Sequence, residues 1–285
     1  MPDELHQMQH PLGLKRLGYA GLTLTQPALR WSDGAATPSE ETVAEEVPVA
    51  LVYNGQPHAV MMASPADLED FAVGFSLTEE LVATPAAVLG IEVQRYSLGI
   101  ELQVQVTVAA AEAIAGKSRS LTGRTGCGIC GSSTLEGTIK TLHPVAAGAC
   151  FAPEALHRAF EALATRQALN LQAGTVHAAG LARADGTLDL LREDVGRHNA
   201  LDKLIGALAR RGTPRVEDGF VVVTSRASFE MVQKATVVGA PLLAAISGPT
   251  GLAVRVAEQA GLTLVGFTRG GRHTVYTHPA RLAPA

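Results

Sequence analysis

From residue 176 to the C-terminus, short apolar runs alternate with helix-spaced segments, and few architectures accommodate that pattern. Segments 176–182 and 187–191 read as strands about an Asp185-Gly186 turn, and 220–224, 242–246 and 262–267 read as further strands. Helical spacing covers 200–210, 229–238 and 253–260. Strands that take turns with helices require an α/β sheet with helices packed on it. Ahead of this region the signals are sparser. Val47 to Tyr53 and Pro57 to Ala63 flank Asn54-Gly55, the strongest short hairpin signal because both turn residues tolerate positive φ. Ser64-Pro65-Ala66-Asp67 predicts an N-cap with proline in the first turn, opening a helix to about Leu81. The strict alternation of 102–108 predicts a half-buried strand. Pro153 opens a helix with Leu156, Phe160 and Leu163 on one face. The expected organisation is a loosely ordered arm over 1–46, a smaller N-terminal lobe over 47–150 and a C-terminal α/β lobe over 151–285. The acids Glu40, Glu41, Glu45 and Glu46 read as a solvated face at the end of the arm. No internal repeat is visible.

The chain has 285 residues, 47% of them hydrophobic, which supports a well-buried core and excludes wholesale disorder. A net charge of -4 provides no general field for nucleic acid, so a polyanion must be met by a local basic cluster. The longest apolar stretch, 237–246, is too short to span a bilayer and is interrupted by Gly239 and Pro241. The start MPDELHQMQH lacks a cationic region and an apolar core, so no secretory signal is expected. Three cysteines are too few for a disulfide scaffold. The expectation is a reduced, cytoplasmic protein without a nucleic-acid or membrane partner.

Residues 116–137 break the periodic pattern and contain Gly126-Cys127-Gly128-Ile129-Cys130-Gly131. Glycine beside each thiol lets another molecule approach the backbone closely, whereas cysteines are usually buried among apolar groups. The bland reading is two small residues filling a turn. A structural zinc site needs two more ligands, and Cys150 stands alone, so no structural zinc is expected. A zinc deaminase needs His-x-Glu, and none of the nine histidines is followed two residues later by Glu. A thioredoxin-like dithiol shares the CxxC spacing but places it early, between a strand and a helix. What remains is nucleophilic sulfur chemistry, with Cys127 as a thiolate that attacks a donor persulfide. Lys117, Arg119 and Arg124 favour the thiolate modestly.

The C-terminal half holds four polar constellations. Arg192 to Asn199 (REDVGRHN) is too polar for a strand core and richer than a turn needs. It reads either as an acid-capped helix start, with Asp194 facing the positive helix end, or as part of a site with Arg197 and His198. His177 reads as a strand-end histidine, with a site role open. Ser225-Arg226-Ala227-Ser228 follows strand 220–224, at the carboxyl-end crevice where α/β sheets bind ligands. Ser247-Gly248-Pro249-Thr250-Gly251 repeats that geometry, and its N–H groups and helix start can hold an anion. Phe267-Thr268-Arg269-Gly270-Gly271-Arg272 reads as a third strand-end loop, with two guanidiniums able to fork onto phosphate. Three such loops on one edge point to a large phosphate-bearing ligand.

Together these segments closely resemble the FdhD family of formate dehydrogenase accessory sulfurtransferases, from about Glu46 to Arg281. The residues that carry the resemblance are GCGICG at 126–131, HAAGL at 177–181, EDVGRHNALDKLIG at 193–206, SRASFEMVQKA at 225–235, GLTLVGFTRGGR at 261–272 and VYTHPAR at 275–281. The resemblance implies a cytidine-deaminase-like α/β/α core without its zinc. It also implies that a cysteine desulfurase loads Cys127 as a persulfide, with Cys130 as a possible assistant. The sulfur then passes to the molybdenum of a bis(molybdopterin guanine dinucleotide) cofactor bound for formate dehydrogenase. The family's cofactor-binding segment falls on Phe267 to Arg272, and His177, Arg197, His198, Ser225, Arg226 and Ser247 are further candidates. GDP or another guanine nucleotide is the expected mimic, and a homodimer is expected. Three positions depart from the pattern. Ala173-Gly174-Thr175 replaces Thr-Gly-Gly, Ser247-Gly248-Pro249-Thr250 replaces Ser-Ala-Pro-Thr, and Thr274-Val275-Tyr276 replaces Asn-Val-Tyr. A cofactor chaperone that moves no sulfur and a CxxC dithiol oxidoreductase are the rival readings.

Overall fold

Glycine-containing two-residue turns organise the N-terminal strands. In the computed structural model, which describes residues 19, 21–118, 142–213, 215–216 and 218–283, β1 (Thr23–Ser32) and β2 (Ala35–Ala44) pair antiparallel. Asp33 and Gly34 between them have φ of 52° and 81°, the left-handed pair that a tight hairpin uses. The expectation of an aperiodic arm therefore gives way over 23–44 to a ribbon. Its strands are exposed over most of their length, so no burial periodicity advertised them. β3 (Val47–Tyr53) and β4 (Gln56–Ala63) form the expected hairpin around Asn54-Gly55. With β5 (Val88–Tyr96) and β6 (Gly99–Val106) they make a four-stranded sheet of order β4-β3-β6-β5. The helix after β4, α1 (Leu68–Thr78), starts later than predicted. Ser64 does not cap it, because its amide, hydroxyl and carbonyl are taken by partners far along the chain.

α2 (Val108–Ser118) follows β6. After it, Cys127 and Cys130 lie outside the described residues. α3 (Pro153–Arg166) starts on its proline and buries Leu156, Phe160 and Leu163 as the spacing predicted; α4 (Ala168–Ala173) is a short continuation. The six-stranded sheet then forms from β7 (His177–Arg183), β8 (Leu188–Asp194), β9 (Gly219–Val223), β10 (Leu242–Ala245), β11 (Thr263–Arg269) and β12 (Arg272–Val275). Its order is β12-β11-β10-β9-β7-β8, with β9, β10 and β11 parallel and β7 antiparallel to β9. β9, Gly-Phe-Val-Val-Val, is buried at every residue, as a strand covered on both faces must be. α3 covers one face through Phe220, Val222, Leu242, Ala244 and Val265. The other face packs on α5 (Arg197–Arg210), α6 (Phe229–Val237) and α7 (Gly251–Ala260), and the same core continues through α1 into the four-stranded sheet. The two segments read as lobes thus share one hydrophobic core.

Arg192, Glu193 and Asp194 belong to β8 rather than to a polar connection. β8 is an edge strand, so each polar side chain finds a partner beyond the sheet. Arg192 pairs with Asp70 at 2.7 Å, Glu193 accepts the Leu169 and Asn170 amides at 2.9 Å, and Asp194 pairs with Lys203 at 2.6 Å. α5 crosses α1 with backbones nearly touching. A Cβ on Gly74 would meet the Asp202 carbonyl oxygen at 1.7 Å, and one on Gly206 would meet that of Asp70 at 1.8 Å. Only glycine allows so close an approach. Beside the crossing, Lys234 of α6 reaches Asp202 at 2.8 Å, Thr78 at 2.8 Å and Glu79 at 3.1 Å. Burial alone would lower the Lys234 pKa, but the Asp202 and Glu79 carboxylates outweigh it and hold it above the usual lysine range. Among the described residues no helix is long and apolar enough to cross a membrane.

Candidate functional site

Because β9, β10 and β11 run parallel, the segments after them emerge at one edge of the sheet. β8 ends and β7 begins at that same edge, where His177 stands opposite Asp194. Main-chain bonds zip the segments together. Thr224 donates its N–H to Ala178 O at 3.0 Å and accepts the Ala178 N–H on its hydroxyl at 2.9 Å. Ala227 bridges to Pro249, the Thr250 N–H reaches Ala227 O at 3.0 Å, and the Phe267 N–H reaches Ser247 O at 3.2 Å. His177, Ser225, Arg226, Ser247 and the 267–272 segment are therefore placed along one continuous rim, the crevice position expected of an open α/β sheet.

α5 and α6 begin on this rim. Arg197 and His198 occupy the first turn of α5, and His198 Nε2 lies 2.7 Å from Glu230 Oε2 in the first turn of α6. Burial lowers the His177 pKa, and the neighbouring charges of Arg197 and His198 lower it further against the pull of Asp194. Neutral imidazole is thus favoured beside the Arg197 guanidinium at the start of α5.

Three buried polar side-chain atoms on the rim have no hydrogen-bond partner within the protein: Arg197 Nε, Ser228 Oγ and Thr268 Oγ1. Buried polar groups are nearly always bonded, so three unpartnered ones on one edge make this rim the candidate place for a ligand to bind. Ser228 stands at the N-cap of α6, yet its hydroxyl does not cap the helix. Thr250 behaves differently, accepting the Ala253 N–H at 3.3 Å, so the start of α7 is partly closed to a ligand by its own residue. Ser228 stood out in the sequence only as the end of the 225–228 constellation and not as a site residue by itself, and Glu230 was not singled out.

Residues 267–272 are not a strand-end loop. β11 extends to Arg269, Gly270 and Gly271 turn with φ of 57° and 71°, and β12 returns from Arg272. Gly-Gly can adopt the doubly left-handed turn of a two-residue hairpin, so the strand folds back instead of ending. Arg269 and Arg272 become a directly opposed cross-strand pair, both exposed. Like charges so placed repel each other, and a phosphate between them would relieve that repulsion bidentately. Phe267 sits in the β-bulge at φ 55°, a rare angle for a residue with a side chain, and its ring is exposed. The ring lies on Gly248, where a Cβ would come within 2.6 Å of its Cζ. Alanine, expected at 248 from the resemblance, would force the ring to turn.

The sequence model of the FdhD/NarQ family matches residues 44–283. A protein of Cupriavidus necator named sulfur carrier protein FdhD is 53% identical over 89% of this chain and 88% of its own. One of the same name from Bordetella petrii is 51% identical over 87% of this chain and 89% of its own. The fold is similar to the crystal structure of a candidate formate dehydrogenase accessory protein from Desulfotalea psychrophila. The TM-score is 0.72 at 24% identity, covering 92% of this chain and all of that one.

Proposed function

The chain belongs to the FdhD/NarQ family, and on that premise we propose that it is a sulfur carrier acting through Cys127. The Cys127 thiolate attacks the outer sulfur of a cysteine desulfurase persulfide, the desulfurase thiolate leaves, and Cys127 keeps the sulfur as its own persulfide. The outer sulfur is then handed to the reduced, Mo(IV) centre of a bis(molybdopterin guanine dinucleotide) cofactor, the client on its way to formate dehydrogenase. The metal supplies the two electrons that turn this zero-valent sulfur into a sulfido ligand, and Cys127 leaves as a thiolate.

The observation that carries the client half of this reading is the rim of unpartnered buried polar atoms beside the opposed Arg269 and Arg272. A ligand with two pyrophosphates and two guanines offers anionic oxygens for the guanidiniums and a flat ring for the exposed Phe267. The sulfur half rests on the Gly-flanked CxxC motif and on the similarity to proteins named sulfur carrier protein FdhD. We extend the reading to a homodimer in the cytoplasm, and to a cytidine-deaminase-like core in the six-stranded sheet. That last likeness is supported by its parallel centre and its helices on both faces.

Intact mass after incubation with desulfurase and cysteine tests the carrier. Wild type should gain one sulfur, and Cys127→Ala should gain none while remaining folded. If Cys127→Ala passes labelled sulfur at the normal rate, the carrier is elsewhere. A chaperone would keep its function without Cys127, and a dithiol oxidoreductase would need Cys130 equally. With Cys130 as an assistant only, Cys130→Ala should retain partial transfer and show a longer-lived persulfide on Cys127.

A further inference from the structure

On the sheet face opposite α5, α6 and α7, a pair of imidazoles stands in contact that the proposed sulfur transfer does not use. α3 opens with Pro153-Glu154-Ala155-Leu156-His157. Ala155 and Leu156 are fully buried, while Glu154 is exposed and His157 partly so, one helical turn apart. On the edge strand β12, His273 places its Nδ1 at 3.2 Å from His157 Nε2, with the rings tilted and 5.2 Å between centroids. As a hydrogen bond this needs one ring to donate and the other to accept.

The same spacing is that of two ligands on one ion. With metal–nitrogen bonds of about 2.0–2.1 Å, tetrahedral ligand nitrogens stand roughly 3.3 Å apart. Glu at i with His at i+3 on a helix is a recurrent way of presenting a carboxylate and an imidazole to a metal. Glu154 and His157 have that spacing. The Glu154 charge also reaches His273, where it opposes the lowering of the pKa by burial and by His157. Among the described residues no three metal-binding side chains already stand together. Glu154 therefore has to change rotamer to join the pair, and its exposure leaves it free to do so.

We propose that His157 and His273, completed by Glu154, bind one divalent first-row transition ion between α3 and β12. Two histidines and one carboxylate leave positions for water and suit zinc, nickel or ferrous iron more than magnesium or calcium. The ion would take the place of the shared proton and clamp to α3 the strand that begins at Arg272.

Calorimetric titration with Zn2+ tests this on the full chain after alkylation with iodoacetamide, which keeps the three cysteines from binding the probe. One equivalent should bind. His157→Ala and His273→Phe should each weaken binding by roughly tenfold or more, at least the effect of losing a ligand's hydrogen-bond partner. Glu154→Gln should weaken it less. His273→Gln replaces His273→Phe if circular dichroism shows a packing change. With Cu2+ as probe, paramagnetic resonance should show nitrogen hyperfine structure that both histidine variants reduce. Absence of binding, or wild-type affinity in both histidine variants, overturns the proposal and leaves the pair as a hydrogen bond.

Discussion

Between Asp194 and Lys203 the chain treats its polar side chains in two opposite ways. Asp194, Asn199 and Lys203 are buried and saturated. Asp194 accepts the Gly196 N–H at 2.7 Å, the Ser64 N–H at 3.0 Å and the Lys203 ammonium at 2.6 Å. Asn199 donates to Met62 O at 2.8 Å, and Lys203 also donates to Ser64 O at 3.0 Å. Arg197, on the neighbouring turn, buries a nitrogen that bonds to nothing in the protein. Inside a protein a satisfied polar network rigidifies, while an unsatisfied group carries its desolvation cost until a ligand supplies the bond. One motif thus contains both a clamp between the two sheets and part of the rim proposed to bind the cofactor, and the partners of each residue tell them apart.

The largest effect should come from the clamp. Lys203→Met leaves Asp194 buried without its cation, which typically costs about 3–5 kcal/mol, read as a fall in the denaturant midpoint. A loss below about 1 kcal/mol, the scale of an exposed pair, would break the distinction. The rim should respond in the other quantity. Arg269→Ala with Arg272→Ala should weaken GDP binding by roughly 2–5 kcal/mol, the loss of one or two charge-assisted contacts. Stability should stay within about 0.5 kcal/mol because both side chains are exposed. Unchanged GDP affinity would make the hairpin a structural turn.

Two buried serines sharpen the contrast. Ser64 bonds the Val195 amide at 3.1 Å, whereas Ser228 Oγ bonds nothing in the protein. Ser64→Ala should destabilise by roughly 1–3 kcal/mol, since a buried amide loses its acceptor. Ser228→Ala should leave stability unchanged and weaken GDP binding by roughly 0.5–1.5 kcal/mol. Equal effects on stability would erase the difference between them. The smallest expected effect is a pH dependence. His177 has its folded pKa lowered from 6.5, so below that value the unfolded chain binds more protons and stability falls with falling pH. The loss begins near the ordinary imidazole range and ends below the lowered folded value. His177→Gln should flatten that slope, and NMR titration should show the imidazole moving back up when GDP binds.

The site was legible by residue type and only partly by role. His177, Arg197, His198, Ser225, Arg226 and Ser247 stood out as polar residues at strand ends, and the structure sets them along one rim. Ser228 was legible as a member of the 225–228 constellation but not as a site residue by itself, because what distinguishes it is a bond it fails to make. Arg269 and Arg272 were legible as guanidiniums near a glycine pair, but not as an opposed pair, which follows from the Gly270-Gly271 turn carrying β11 back as β12. The ribbon at 23–44 was missed because its strands are exposed and its only signal is Asp33-Gly34.

Local physics is what the sequence determined by itself. Apolar period, the Asn54-Gly55 and Asp185-Gly186 turns and the helix start at Pro153 involve residues within a few positions of one another, so composition and spacing suffice to read them. Tertiary structure decided which polar residues are clamp and which are rim. Ser64 and Asp194 are 130 positions apart in the chain, and Thr78 and Lys234 are 156 apart. No local pattern encodes such pairings. They exist because Gly74 and Gly206 let α1 and α5 meet backbone to backbone, which brings a serine, a threonine, two aspartates and two lysines into the same dry interface. Once water is excluded there, each charge must find a protein partner, and those left over at the open edge remain for a ligand.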